Sequence, residues 1–168
     1  KRMMHIHRFD INDTIKNTAA TFEGICTNRQ IRLELLLSGH ELYVKADMEQ
    51  IQQVLYNLID NAIKYSKESV EINITAEESE RYTILKVRDN GLGISEADQR
   101  IIFQKYERAA AAKRSRRNGA SGFGLGLNFV DQVIKAHEGR IFVNSTEGEF
   151  TEFTIYLPLE TPNNRHNQ

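Results

Sequence analysis

The stretch DMEQIQQVLYNLIDNAIKYS, residues 47–66, decides how this chain is read. Asp47 with Gln50 three positions on is a capping-box pattern, so a helix is predicted to open there and run to about Ser66. At about 100° per residue, Ile51, Leu55, Leu58, Ile59 and Ala62 fall on one broad apolar face, which belongs in a core. The same rotation places Asn57, Asn61 and Lys64 in a narrow adjacent stripe, with Tyr65 at its margin. An amide oxygen can ligate Mg²⁺, amide hydrogens bond phosphate, and an ammonium offsets phosphate charge, so the stripe suits an anion carrying its metal. Taken alone, it reads first as the solvated border of an amphipathic helix.

Around this helix the patterns alternate between periods. Before it, Asp10 caps a predicted helix with apolar positions Ile11, Ile15, Ala19, Phe22 and Ile25, and residues 31–37 and 42–46 are short strand candidates about a Ser38-Gly39-His40 turn. After it, Val70, Ile72, Ile74 and Ala76 alternate with polar residues, and a second extended run from Tyr82 to Val87 predicts a hairpin. Ser95 with Asp98 caps a short helix through Phe103. A third long helix follows, marked by Leu125, Phe129, Val130, Val133 and Ile134 and stopped by Gly139, with strand candidates at 140–145 and 150–157. About three long helices with five or more strands predict an α+β fold, a two-layer sandwich with helices on one face of a sheet.

Composition limits the function. The chain has 168 residues, 40% hydrophobic and 27% charged, with 22 basic against 23 acidic side chains, a net charge of −1. One folded domain is expected, without a nucleic-acid or membrane footprint spread over its surface. The single Cys26 and the absence of CxxC or Cys/His zinc spacing point to a reducing compartment. Apolar runs such as Leu35 to Leu37 fall short of the roughly 20 residues of a membrane span, and the N-terminal stretch is unlike a signal peptide.

Two glycine-bearing stretches move the reading of the Asn stripe toward a ligand. Arg88-Asp89-Asn90-Gly91-Leu92-Gly93-Ile94 follows a predicted strand, and its glycines allow backbone to approach a flat ligand. A buried Asp89 accepts from an amino group, which adenine offers and guanine replaces with a carbonyl. An Asp-Asn-Gly turn without ligand accounts for these residues about as well. Gly122-Phe123-Gly124-Leu125-Gly126-Leu127 sits where residues 107–121 meet the third helix, so free N–H groups and the helix dipole suit phosphate there. It is neither a Walker loop nor a dinucleotide fingerprint.

Together these clusters, spanning residues 9–158, resemble the catalytic and ATP-binding domain of bacterial sensor histidine kinases, in the Bergerat-fold ATPase/kinase superfamily. The segment Asn57 to Ser66 resembles the family's N box; the resemblance implies that Asn61 holds Mg²⁺ and that Asn57, Lys64 and Tyr65 contact phosphates or nucleotide. Residues Asp89 to Ile94 resemble the first glycine box, implying adenine recognition by Asp89 beside Gly91, Gly93 and Ile94. Ile102-Phe103-Gln104-Lys105-Tyr106-Glu107-Arg108 resembles the F box, which implies that Tyr106 contacts nucleotide and Arg108 reaches the terminal phosphate. Gly122, Gly124, Leu125, Gly126 and Leu127 match the second glycine box, residues 107–121 would be the ATP lid, and the ending His137-Glu138-Gly139-Arg140-Ile141 is also similar to the family. Phe123 and Phe150 depart from its pattern, as do the unusually basic Lys113, Arg114, Arg116 and Arg117, whose charge is read as solvated.

Hydrolysing members of the superfamily carry a Glu four residues before the metal-binding Asn, as the base for water. Here that place is Asn57, which cannot serve as a base near neutral pH, so phosphoryl transfer is favoured over hydrolysis, with Asn57, Lys64 and Arg108 as the catalytic set. The resemblance implies transfer of the γ-phosphoryl group of ATP to a histidine on a separate dimerisation domain, then to an Asp on a response regulator receiver domain. His5, His7, His40, His137 and His166 all lack the context of a phosphoacceptor box. Residues 1–8 are accordingly expected to be linker from a preceding dimerisation and phosphoacceptor region, 9–160 the catalytic domain and 161–168 a polar tail. The isolated domain is expected to be monomeric and cytoplasmic, in a homodimeric parent that is compatible with a membrane anchor elsewhere. Two other readings stand beside this one: a serine kinase of the kind that restrains a sigma factor, and a nucleotide-sensing module without turnover.

Overall fold

A computed structural model describes residues 3–104 and 127–160 of the chain. The anticipated lid, residues 107–121, and the polar tail, 161–168, lie outside the described residues. The element order is β1 (Ile6–Asp10), α1 (Ile11–Ala20), α2 (Glu23–Arg29), β2 (Arg32–Leu36), β3 (Tyr43–Asp47), α3 (Met48–Lys64), β4 (Glu71–Glu78), β5 (Tyr82–Asp89), α4 (Glu96–Gln99), α5 (Leu127–Ala136), β6 (Arg140–Thr146) and β7 (Phe150–Pro158).

Five strands form one sheet in the order β2-β4-β5-β7-β6, parallel only between β2 and β4. Strict alternation decides which face is covered: Ile72, Ile74, Ala76, Leu85, Val87, Phe153, Ile155 and Leu157 are buried beneath the helices, while Glu71, Arg88 and Phe142 on the opposite face are exposed. The helices meet that face through Ile11, Ile15, Ile51, Leu55, Leu58, Ile59, Val130 and Ile134, all almost wholly buried. The two-layer α+β architecture is therefore as expected, on a mixed, mainly antiparallel sheet.

Three caps formed as anticipated, the first of them Asp10, which accepts from Asn12 N at 3.0 Å at the start of α1. Asp47 accepts from Gln50 N at 3.1 Å at the start of α3, and Ser95 accepts from Asp98 N at 3.2 Å at the start of α4. Three features differ from expectation. The first helix is broken: α1 ends at Ala20 and α2 begins at Glu23. The strand expected at 42–46 forms at Tyr43–Asp47, but β3 joins an unanticipated β1 in a separate antiparallel pair, with Phe9 opposite Val44. Finally, the left-handed residue ending α5 is Glu138, with φ 61°, whereas Gly139 is needed because a side-chain carbon there would meet Tyr156 O at 2.3 Å.

Candidate functional site

Antiparallel pairing brings the end of β5 against the start of β7, with Asp89 directly opposite Thr151. The C-terminal half of α3 crosses this junction, and the first turn of α5 closes one side. The result is a narrow cleft lined by Asn61, Ala62, Tyr65, Asp89, Gly93, Ile94, Leu127, Thr151 and Phe153, mostly apolar with a few convergent polar groups.

Six residues singled out from the sequence thus meet in one place: Asn61, Tyr65, Asp89, Gly93, Ile94 and Leu127. Gly91 stands just behind them, its N–H donating to Asp89 Oδ1 at 2.8 Å. A side-chain carbon at 91 would sit 2.5 Å from Tyr65 O and 2.7 Å from Asp89 Oδ1, so glycine there is what lets the loop lie against the carboxylate. Leu92 N donates to Tyr65 O at 2.9 Å and Gly148 N to Leu92 O at 2.6 Å, stitching the loop after α3, the glycine loop and the β6–β7 turn into one rim. Asn90 belongs to that stitching: its Oδ1 accepts from Glu71 N at 2.8 Å.

Asp89 is 8% exposed. Burial pushes its carboxyl up to about 6, partly opposed by the Gly91 N–H and the Arg88 guanidinium. Burial and the nearby Asp60 carboxylate push the Tyr65 phenol up to about 12, so it remains a protonated hydroxyl. Asn61 is half-buried, and its amide makes no hydrogen bond to another described residue.

Asn57 and Lys64 occupy α3 on either side of Asn61 but do not line the cleft. Lys64 is exposed and its ammonium lies 2.9 Å from Asp60 Oδ2, an i,i+4 pair made possible by one turn of helix. Asp60 therefore occupies the ammonium that the stripe would otherwise present unpaired. Tyr106, Arg108, Gly122, Gly124, Leu125 and Gly126 lie outside the described residues.

Thr151 and Phe153 were missed by sequence reasoning. Both belong to the inward set of β7, a pattern visible in Thr151, Phe153, Ile155 and Leu157, but only the register that puts Thr151 opposite Asp89 makes them cleft residues. Phe103 supports this wall from behind, its ring edge-on to Phe153 with centroids 6.2 Å apart.

Comparison with known proteins gives a consistent picture. Residues 46–161 match the family described as histidine kinase-, DNA gyrase B- and HSP90-like ATPase. The chain is similar to the sensor histidine kinase WalK of Bacillus subtilis, 40% identical over 126 residues, covering 74% of this chain and 20% of that protein. It is similar also to the sensor protein SrrB of Staphylococcus aureus, 42% identical over 112 residues, 67% of this chain and 19% of the relative. The chain thus spans about a fifth of the length of these curated relatives. Among solved structures, the catalytic domain of the histidine kinase ThkA superposes with a TM-score of 0.79 at 28% identity, covering 92% of this chain and 98% of that one. The histidine kinase ThkA in complex with response regulator protein TrrA gives 0.77 at 26% identity, over 97% of this chain and 44% of the other.

Proposed function

Because the chain belongs to the histidine kinase-, DNA gyrase B- and HSP90-like ATPase family, we propose that it is the catalytic, ATP-binding domain of a two-component sensor histidine kinase. In this reading the γ-phosphoryl group of ATP passes to a histidine on a dimerisation domain of the same parent protein, and from there to an Asp on a response regulator. The observation that supports it most is the convergence of Asn61 and Asp89 on one cleft, from a helix and a strand far apart in sequence.

Asp89 accepts from the adenine amino group, which selects adenine over a base with a carbonyl at that place. Gly93, Ile94 and Phe153 give the base an apolar slot, and Tyr65 offers a phenol that stays a donor at neutral pH. Asn61 is suited to a cation, because its amide has no competing hydrogen bond among the described residues and Mg²⁺ commonly takes one or two protein oxygens with phosphate oxygens and water. When bound, Mg²⁺ would neutralise charge on the transferring phosphate. Asn57 and Lys64 are assigned to the phosphates, Lys64 by exchanging Asp60 for a phosphate oxygen. Tyr106, Arg108 and the turn from Gly122 through Gly124, Leu125 and Gly126 are assigned by resemblance to the nucleotide and its phosphates, ahead of Leu127. With an amide at position 57 the chain supplies no base for water there, which favours transfer over hydrolysis.

No helix among the described residues is long and apolar enough to cross a membrane; the proposed location is the cytoplasm, on the inner side of any anchored parent. The deciding experiment mixes the 168-residue chain, Mg-ATP and a separately produced cognate phosphoacceptor domain. Acid-labile phosphohistidine on the acceptor is expected. Phosphoserine on a protein partner instead would favour the sigma-factor-restraining kinase, and nucleotide binding without transfer would favour a sensing module.

A further inference from the structure

Ser145, near the end of β6, has three polar neighbours. Its Oγ lies 2.6 Å from Phe150 O, 2.8 Å from Ile94 N and 3.1 Å from Thr151 Oγ1. A carbonyl oxygen only accepts and a backbone N–H only donates, while a hydroxyl has one proton and two lone pairs. The Ser145 proton therefore goes to Phe150 O, its shortest contact, and one lone pair receives Ile94 N–H. Thr151 is left to donate to the other. Its single proton committed in this way, Thr151 Oγ1 can only accept from whatever enters the cleft.

Thr151 is 6% exposed, lines the cleft and stands opposite Asp89 in the β5–β7 register. We propose that Ser145, which touches no ligand itself, is a specificity-determining positioning residue: by holding the Thr151 proton it makes Thr151 and Asp89 a pair of acceptors on one wall. An exocyclic amino group with two N–H bonds matches such a wall. A carbonyl in the same place meets lone pairs from two sides and leaves buried polar atoms unpaired. Local sequence patterns do not mark this contact, because it depends on Ser145, Ile94 and Thr151 being joined across the β6–β7 turn and the glycine loop.

The inference rests on the adenine-nucleotide reading above and is tested with two probes, ATP and inosine triphosphate, which carries a carbonyl in place of the amino group. Calorimetry on the 168-residue chain gives their affinity ratio. Ser145→Ala frees the Thr151 proton to turn into the cleft, so the preference for ATP is expected to fall about three- to tenfold. Ser145→Thr keeps a hydroxyl and should keep the preference. Thr151→Val, which removes the acceptor itself, should also lower it, and decides the matter if Ser145→Ala does not fold. Parallel loss of both affinities in Ser145→Ala, or an unaltered ratio in Thr151→Val, overturns the role of Ser145 while leaving ATP binding intact as a property of the parent chain. A parent chain that binds neither nucleotide overturns both readings.

Discussion

Burial lifts the Asp89 carboxyl from its ordinary 3.8 to about 6 despite the favourable Gly91 N–H and Arg88 charge. A carboxyl raised on folding binds its proton more tightly in the native state, so above about pH 6 its ionised form subtracts from stability, and below about pH 3.8 the cost is gone. The difference is worth up to about 3 kcal/mol. Asp89→Asn removes that charge yet keeps an oxygen for the Gly91 N–H, so the variant is expected to be more stable than the parent at pH 7.5 by as much as this, with the gap closing toward pH 4. It should bind ATP more weakly, because the amino group loses a charged acceptor, and in the parent ATP affinity should decline as pH falls through about 6. Urea melts at the two pH values and calorimetry read these effects; equal stability with unchanged affinity would remove Asp89 from the site. Asp89 and Asn61 could be found in the sequence because each sits beside its own local signal, a glycine loop or a helix stripe. Thr151 and Ser145 could not, because a hydroxyl in an alternating strand looks like any other until the register is known.

At the scale of elements, the sequence was most readable where one periodicity acted alone. The cap of α3 and the β4–β5 hairpin formed where the pattern put them. The break between α1 and α2 escaped because Phe22 stays inward across it; the interruption then slips the phase by one residue, leaving Ile25 42% exposed while Cys26 is 7% exposed. Thr18 and Thr21 both turn their hydroxyls onto the helix backbone before the break, Thr18 to Thr14 O at 2.7 Å and Thr21 to Thr18 O at 2.6 Å, a local competition that periodicity does not show. β1 escaped because only Phe9 of its residues is buried, and its Arg8 lies over the Tyr43 ring at 3.7 Å rather than in solvent. Turns invite a paired test. Gly93 and Gly148 both have positive φ, 71° and 84°, but a side-chain carbon at 93 would lie 2.3 Å from Thr146 O, whereas nothing lies within 4 Å at 148. Gly148→Ala should therefore cost about 1–2 kcal/mol, the conformational term alone, and Gly93→Ala measurably more, with weaker ATP binding because the glycine loop must move. Similar urea midpoints for the two variants would mean that the rim yields freely at Thr146.

Across the whole molecule, the cleft depends on two helices being held at a fixed separation, and one side chain far from it helps to do so. His137, just past the end of α5, makes a 2.7 Å contact from Nδ1 to Val133 O and accepts Asp47 N–H at Nε2 at 3.0 Å, while Asp47 caps α3 and accepts from His5 N at 3.0 Å. The acceptor role of Nε2 places the ring proton on Nδ1, where it donates to Val133 O. The end of α5, the start of α3 and the small sheet are thus joined at one buried point, and a nucleotide clasped between α3 and α5 should stabilise the entire unit. Binding only to the folded state adds about 2.7 kcal/mol at a ligand concentration one hundred times the dissociation constant. For a domain of this size that raises Tm by about 5–10 °C. With Mg²⁺ present, ATP is expected to produce this shift in the parent chain and a smaller one when Mg²⁺ is withheld. Asn61→Ala should reduce the shift with Mg²⁺ to the size seen without it, because the amide oxygen suited to the cation is gone while the base slot is intact. Asp89→Asn should diminish the shift under both conditions. If Asn61→Ala instead keeps the full dependence on Mg²⁺, the cation is held elsewhere and the stripe on α3 contacts only phosphate or solvent.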